Sequence, residues 1–183
     1  AEKEVIEGAR EIDKRQGFKG PIRKVEEVDW EKLQVNQRKQ IYSEKSTYFT
    51  IDLESNRIDE YVYDETVLEK IKEHEQTIRK ELSLKRLHVG YYPEDPILKL
   101  FERNSRYEGL VVDTDDLARL IYVKVAGVIG IIPYEMFRWA HERDITPERK
   151  FYPYVTKPST ILKKGDVVHV KLVSERTGLR ERV

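Results

Sequence analysis

The chain contains no cysteine. That excludes disulfides, thiolate metal sites and a cysteine nucleophile, and it leaves the redox compartment open. An excess of either charge is missing too: Lys plus Arg and Asp plus Glu number 34 each, for a formal net charge of zero. A domain devoted to nucleic acid usually carries a basic surplus, so no nucleic-acid partner is expected. No apolar run approaches the ~20 residues that a membrane helix needs. There is no glycine-rich phosphate loop, and His74, His88, His141 and His169 are scattered without metal-ligand spacing. The single methionine is Met136, and the chain opens on Ala1 inside a helical pattern. The expectation is a processed or excised piece without a signal peptide.

What is present is a chain of 183 residues, 37% charged and 39% hydrophobic, with apolar positions gathered into periodic runs. That suffices for one domain or a small domain with attachments, and the periodicity argues against disorder. Residues 1–16 read as an amphipathic helix with Val5, Ile6, Ala9 and Ile12 on one face, stopped by Gly17, Gly20 and Pro21. Residues 29–40 suggest a second short helix with Trp30 and Leu33 as its apolar contacts. Over 47–63 the period changes to two: Phe49, Ile51 and Leu53 alternate with polar residues, Glu54 to Arg57 is turn-like, and Ile58 to Tyr63 is β-rich, the pattern of a hairpin. Helical spacing returns over 64–83, where Val67, Leu68, Ile71, Ile78 and Leu82 form a stripe behind a candidate N-cap, Asp64.

From residue 86 the chain reads mostly β. Candidate strands are Leu87–Tyr92, Gly109–Asp113, Arg119–Val125, Gly127–Ile132 and Val167–Val173, with a turn at Ala126-Gly127 and a short helix at Tyr134–His141. A polar loop runs on to Leu162. Several short strands with one helix before the last suggest a small Greek-key barrel of OB type.

Chemistry is sparse. No serine has a lysine three positions on, so the Ser-x-x-Lys of a serine acyl-enzyme is absent. Arg176-Thr177-Gly178 reads as a turn. Glu94-Asp95, between Pro93 and Pro96, reads as a polar loop rather than a catalytic carboxylate pair, and Asp113 to Asp116 as a β-turn rather than a calcium loop. Of the eleven tyrosines, Tyr91, Tyr92, Tyr107, Tyr122, Tyr134, Tyr152 and Tyr154 suit either a stacking platform or core and interface positions; the absent basic surplus favours the latter. No catalytic, metal or cofactor-binding residue is expected, and no contact residue is assigned.

Two stretches resemble the 1A family of class A, bifunctional penicillin-binding proteins. Asp13-Lys14-Arg15-Gln16-Gly17-Phe18-Lys19-Gly20-Pro21 is similar to the end of that family's linker helix, Asp-Arg-Arg-His-Gly-Tyr-Arg-Gly-Pro, with Gln16 in place of histidine. Between Gly109 and Val173, the Ala126-Gly127 turn, Trp139-Ala140-His141 and Lys164-Gly165-Asp166-Val167-Val168 follow the order of the family's OB-like domain, with His141 in place of arginine. The resemblance implies a mainly β fold with helical additions: a linker helix from the transpeptidase region at 1–21 and an OB-like (S1-like) barrel at 87–183. Residues 22–86 match nothing in it and are expected to be a lineage-specific hairpin and charged helix, either separate from the barrel or one compact unit with it. The resemblance also implies a non-catalytic docking or regulatory module of a peptidoglycan synthase whose missing parts are a glycosyltransferase, a transpeptidase and a transmembrane helix. Its partners would be those domains and an outer-membrane lipoprotein activator, and its place the periplasm, tethered to the inner membrane. Val128 to Phe137 and Gly165 to Lys171 also resemble an S1-like OB domain that binds single-stranded RNA; zero net charge and the N-terminal run favour the synthase.

Overall fold

The computed structural model describes residues 16–45, 50–52, 57–59, 66–81, 92, 94–143 and 152–173. The expected helix at 1–16 (apart from Gln16), the strand Leu87–Tyr91, the cap Asp64 and the Arg176-Thr177-Gly178 turn lie outside them. So do most of the hairpin flanks.

The elements in chain order are β1 (Arg23–Lys24), α1 (Trp30–Lys45), β2 (Thr50–Asp52), β3 (Arg57–Asp59), α2 (Thr66–Glu81), β4 (Arg106–Asp115), β5 (Leu120–Val125), β6 (Val128–Pro133), α3 (Tyr134–Phe137) and β7 (Asp166–Lys171). Short 3-10 turns occupy Glu27–Asp29, Pro96–Lys99 and Pro158–Thr160. The fold is mainly β with helical additions, built on a five-stranded antiparallel sheet in the order β1-β7-β4-β5-β6. β2 and β3 form a separate antiparallel pair, with Ile51 opposite Ile58, as the period-two pattern requires. Among the described residues, no helix is long and apolar enough to cross a membrane.

The chain divides into two compact units, one of Ala1–Val25, Leu110–Val123 and Gly130–Val168, the other of Glu26–Gly109, Lys124–Ile129 and His169–Val183. In the first unit, Leu110, Val111, Ile121 and Val167 have no accessible surface. Adjacent positions of β4 are therefore both dry, which is how a strand shielded on both faces reads. The core of the second unit is Ile41, Tyr42, Ile97, Leu100 and Ala126, with Phe101, Tyr107, Val125 and Val128 packed against it.

Several expected elements shift. α1 extends to Lys45, and its buried positions are Gln34, Arg38, Ile41 and Tyr42; Trp30 and Leu33 are only half-buried. α3 stops at Phe137; beyond it the Ala140 amide donates to the Phe137 carbonyl (2.8 Å), and the Trp139 indole Nε1 donates to the Met136 carbonyl (2.7 Å). Asp113 and Asp115 belong to β4 itself, so the turn starts at Asp116; there the Asp115 carboxylate accepts from the Leu117 and Ala118 amides, both at 2.9 Å. Tyr92 lies outside any strand.

The first unit holds the segment after Gln16 against its own strands. Phe18 donates to the His141 carbonyl (2.8 Å) and forms a bridge with Glu142. Ile22 donates to Val167 and Val25 to Gly165, each at 2.8 Å, around the β1–β7 pairing. Gly165 has φ +89°, and a Cβ there would sit 2.6 Å from the Val25 carbonyl oxygen. Gly165→Ala is therefore expected to cost upwards of about 1–2 kcal/mol from the left-handed backbone alone, with the clash added. Urea denaturation reads the loss, and hydrogen exchange at Val25 reads release of β1.

Candidate functional site

In the second unit the polar face of α1 surrounds the β5–β6 turn. Ala126 (φ +50°) and Gly127 (φ +85°) both adopt left-handed backbone, the geometry of a tight two-residue hairpin. Gln37 Oε1 accepts from the Ala126 amide (3.0 Å), Gln34 Oε1 from the Gly127 amide (2.6 Å), and Arg38 Nη1 donates to the Ala126 carbonyl (2.7 Å). Positions 34, 37 and 38 share one helical face, so a single stripe meets three backbone groups of the turn. From α2, Leu68 and Ile71 approach the same glycine, 3.4 and 3.9 Å from where its Cβ would stand. The first turns of the α2 stripe, Val67, Leu68 and Ile71, thus pack on their own chain.

Arg38 has no exposed surface, and its charge is met by Asp95, itself 3% exposed. Nη2 and Nη1 reach Oδ1 and Oδ2 at 2.6 and 2.9 Å, a two-pronged pair. Asp95 also accepts from the Ile97 amide (3.1 Å) and caps the Pro96–Lys99 turn. The expected polar loop at Glu94-Asp95 is therefore half an ion-pair site: Glu94 is exposed, and Asp95 is drawn inward by a buried cation. Arg38 Nε and Gln34 Nε2 find no acceptor among the described residues, a local cost in hydrogen bonding. In the sequence Asp95 stood out only as half of an acidic pair in a polar loop, and Arg38 not at all; the signal was a helical stripe of Gln34, Arg38 and Tyr42 too polar to read as a core face.

Beside this node lies an open groove of about 410 Å³. α1 lines it with Gln37, Gln40, Ile41 and Glu44, and the strands line it with Arg106, Tyr107, Glu108, Val125 and His169. Gln37 is held in place by donating to the Glu108 carbonyl at 2.8 Å.

In the first unit, α3 and residues 152–157 carry rings and guanidinium groups. Arg138 lies over the Tyr154 ring (4.7 Å) and Arg119 over Tyr134 (5.0 Å), while His141 stacks on Tyr152 at 4.1 Å and 11°. Met136 is 51% and Tyr154 60% exposed. Met, Tyr and Arg are the residue types enriched where proteins bind proteins. Tyr107 packs in the other unit's core, Tyr122 is buried, and Tyr92 donates to Glu94 (2.7 Å) with its ring edge-on to His74; Tyr91 lies outside the described residues. The Glu94 hydrogen bond, with burial and the charges of Glu94 and Asp95, raises the Tyr92 pKa. Burial, then the charges of Asp115 and Asp113, raises that of Tyr122.

Among the described residues, no group of His, Asp and Glu side chains is arranged to hold a metal. Comparison with protein-family models, curated proteins and solved structures finds no match.

Asp116 fastens the β4–β5 turn to the Pro158–Thr160 turn. Its carboxylate accepts from the Ser159 hydroxyl (2.6 Å) and amide (3.0 Å). These bonds hold the carboxyl below its ordinary 3.8, assisted by the charge of Lys157 and opposed by slight desolvation. A carboxylate depressed by folding contributes stability above its unfolded pKa and loses it as pH falls through the folded value. Ser159→Ala should move the Asp116 pKa up toward 3.8, read by carboxyl-carbon NMR titration. An unmoved titration would assign the shift to another group.

Proposed function

We propose that this chain is a non-catalytic docking and regulatory module of OB type from a bifunctional peptidoglycan synthase, acting in cell-wall synthesis. The observation that carries the reading is spatial. The stretches that resemble the synthase family lie far apart in sequence, yet Gly17-Phe18 packs on His141-Glu142, and Val25 bonds to Gly165 within one unit. A Cβ on Gly17 would stand 2.7 Å from the His141 carbonyl oxygen, so the approach requires glycine there. Residues Glu26–Gly109, most of which match nothing in the resemblance, fall in the other unit, as does the Ala126-Gly127 turn, which is part of it.

The strand order agrees with an OB barrel. β4, β5 and β6 form a meander, α3 follows, and β7 returns beside β4. Closure of that sheet into a barrel is part of the proposal. The absence of a Ser-x-x-Lys serine from the whole sequence agrees with a module that leaves polymerisation and crosslinking to other domains. Those domains and an outer-membrane lipoprotein activator are the proposed partners, and the periplasmic face of the inner membrane the proposed place. The exposed Met136, Tyr154 and Arg138 give the first unit a face of suitable composition.

Binding of the purified chain to the catalytic domains of a class A synthase, and to the periplasmic part of a lipoprotein activator, tests the proposal by surface plasmon resonance. Saturable binding to at least one is expected, with a flat titration against single-stranded RNA at low salt. Binding to neither protein, or salt-dependent binding to RNA, overturns it.

A further inference from the structure

Two buried donors of the Arg38 node are left over once its protein partners are assigned. Arg38 Nε and Gln34 Nε2 are shut off from the surface, and neither meets an acceptor among the described residues. The residues that carry them are 0% and 6% exposed, so bulk solvent does not satisfy them either.

Neither donor can be rescued by turning its side chain. The guanidinium is pinned through both other nitrogens, Nη1 to Asp95 Oδ2 (2.9 Å) and to the Ala126 carbonyl (2.7 Å), Nη2 to Asp95 Oδ1 (2.6 Å). The Gln34 amide is pinned by Oε1, which accepts from the Gly127 amide (2.6 Å). Turning that amide end for end would break this bond and set two donors face to face. The two leftover donors also belong together. Positions 34 and 38 are one turn apart on the same face of α1, and the other ends of both side chains grip adjacent residues of the hairpin turn, Gly127 and Ala126. One acceptor beside the turn can serve both. The glycine leaves space on that side: a Cβ on Gly127 would have Arg38 Nη1 and Leu68 Cδ2 at 3.4 Å and Ile71 Cδ1 at 3.9 Å, ordinary contact distances.

Charge decides what the acceptor is. Arg38 and Asp95 already cancel, so an anion would leave net negative charge in buried surroundings. A cation would face two donors. What fits is small, neutral and able to accept two hydrogen bonds while donating its own. Immobilising one water costs less than leaving two buried donors bare, and the Ala126 carbonyl has a second lone pair for one of its protons.

We infer that the node between α1 and the β5–β6 turn binds one internal water, held jointly by Arg38 Nε and Gln34 Nε2. The water is then a constituent of the ion-pair site, joining the helix to the hairpin beside the direct bonds of Gln34, Gln37 and Arg38. This site stands whether or not the chain belongs to a peptidoglycan synthase.

The test is a pair of water-selective NMR experiments, NOESY and ROESY, on the isotope-labelled full chain. The Arg38 Nε proton and the Gln34 Nε2 protons should both show cross-peaks to water, opposite in sign between the two experiments, which marks a bound molecule; equal signs mark chemical exchange with solvent. Titration with sodium bromide should leave both resonances in place. Gln34→Met removes one of the two donors and should speed solvent exchange of the Arg38 Nε proton about tenfold, the loss of one hydrogen bond to the water. If that variant does not fold, the spectra of the unaltered chain decide alone. Exchange peaks only, a bound-water signal at one donor but not the other, or no water signal at either overturns the shared water. A saturable bromide shift without a water signal also overturns it, by assigning the site to an anion.

Discussion

The buried pair of Arg38 and Asp95 is the constraint around which the second unit is arranged. A guanidinium with no exposed surface demands a carboxylate and further acceptors nearby, because an unpaired buried charge is costly. Asp95 supplies the carboxylate and the Ala126 carbonyl a further acceptor. Three segments are thereby held at fixed separation: helix α1, the 3-10 turn that starts at Pro96, and the β5–β6 hairpin. Gln34 and Gln37 add the hairpin amides, and the lower wall of the groove follows from where α1 is then obliged to lie. Two apolar residues of similar volume could be as stable here, whereas removing one partner alone would leave an uncompensated buried charge.

The first unit is organised differently. Its core is a run of apolar strand residues, and its attachments are backbone bonds made where glycine allows close approach, at Gly17 and Gly165. The segment after Gln16 uses both positions, which is why two distant stretches of sequence behave as one structural feature. The proposed synthase module rests on that feature.

Legibility in the sequence followed the same division. β4 to β7 announced themselves by apolar runs broken at Asp116, Ala126-Gly127 and Gly165, and their ends moved by no more than a few residues, because burial of a strand writes itself into side-chain type. α2 was equally plain, with Val67 and Ile71 buried as its stripe requires. The Arg38 node was not legible. The helix was expected over 29–40 on the strength of Trp30 and Leu33, but hydrophobic periodicity passes over a buried face of Gln34, Arg38 and Tyr42, and nothing local ties Arg38 to an aspartate 57 residues away. Asp95 before Pro96 carried a usable signal, that of an N-cap followed by proline, but its burial depended on a partner that only the fold brings near. The groove was hidden for the same reason: Glu44, Arg106 and His169 look like ordinary solvated charges until α1 is set against the strands.

The most direct measurement of this account is a double-mutant cycle on Arg38→Met and Asp95→Leu, followed by urea denaturation of the full chain. Each single substitution strands one buried charge and should cost about 3–5 kcal/mol. The double variant should cost no more than the worse single, a coupling of at least about 2 kcal/mol. Costs that simply add would contradict the claim that this pair organises the unit.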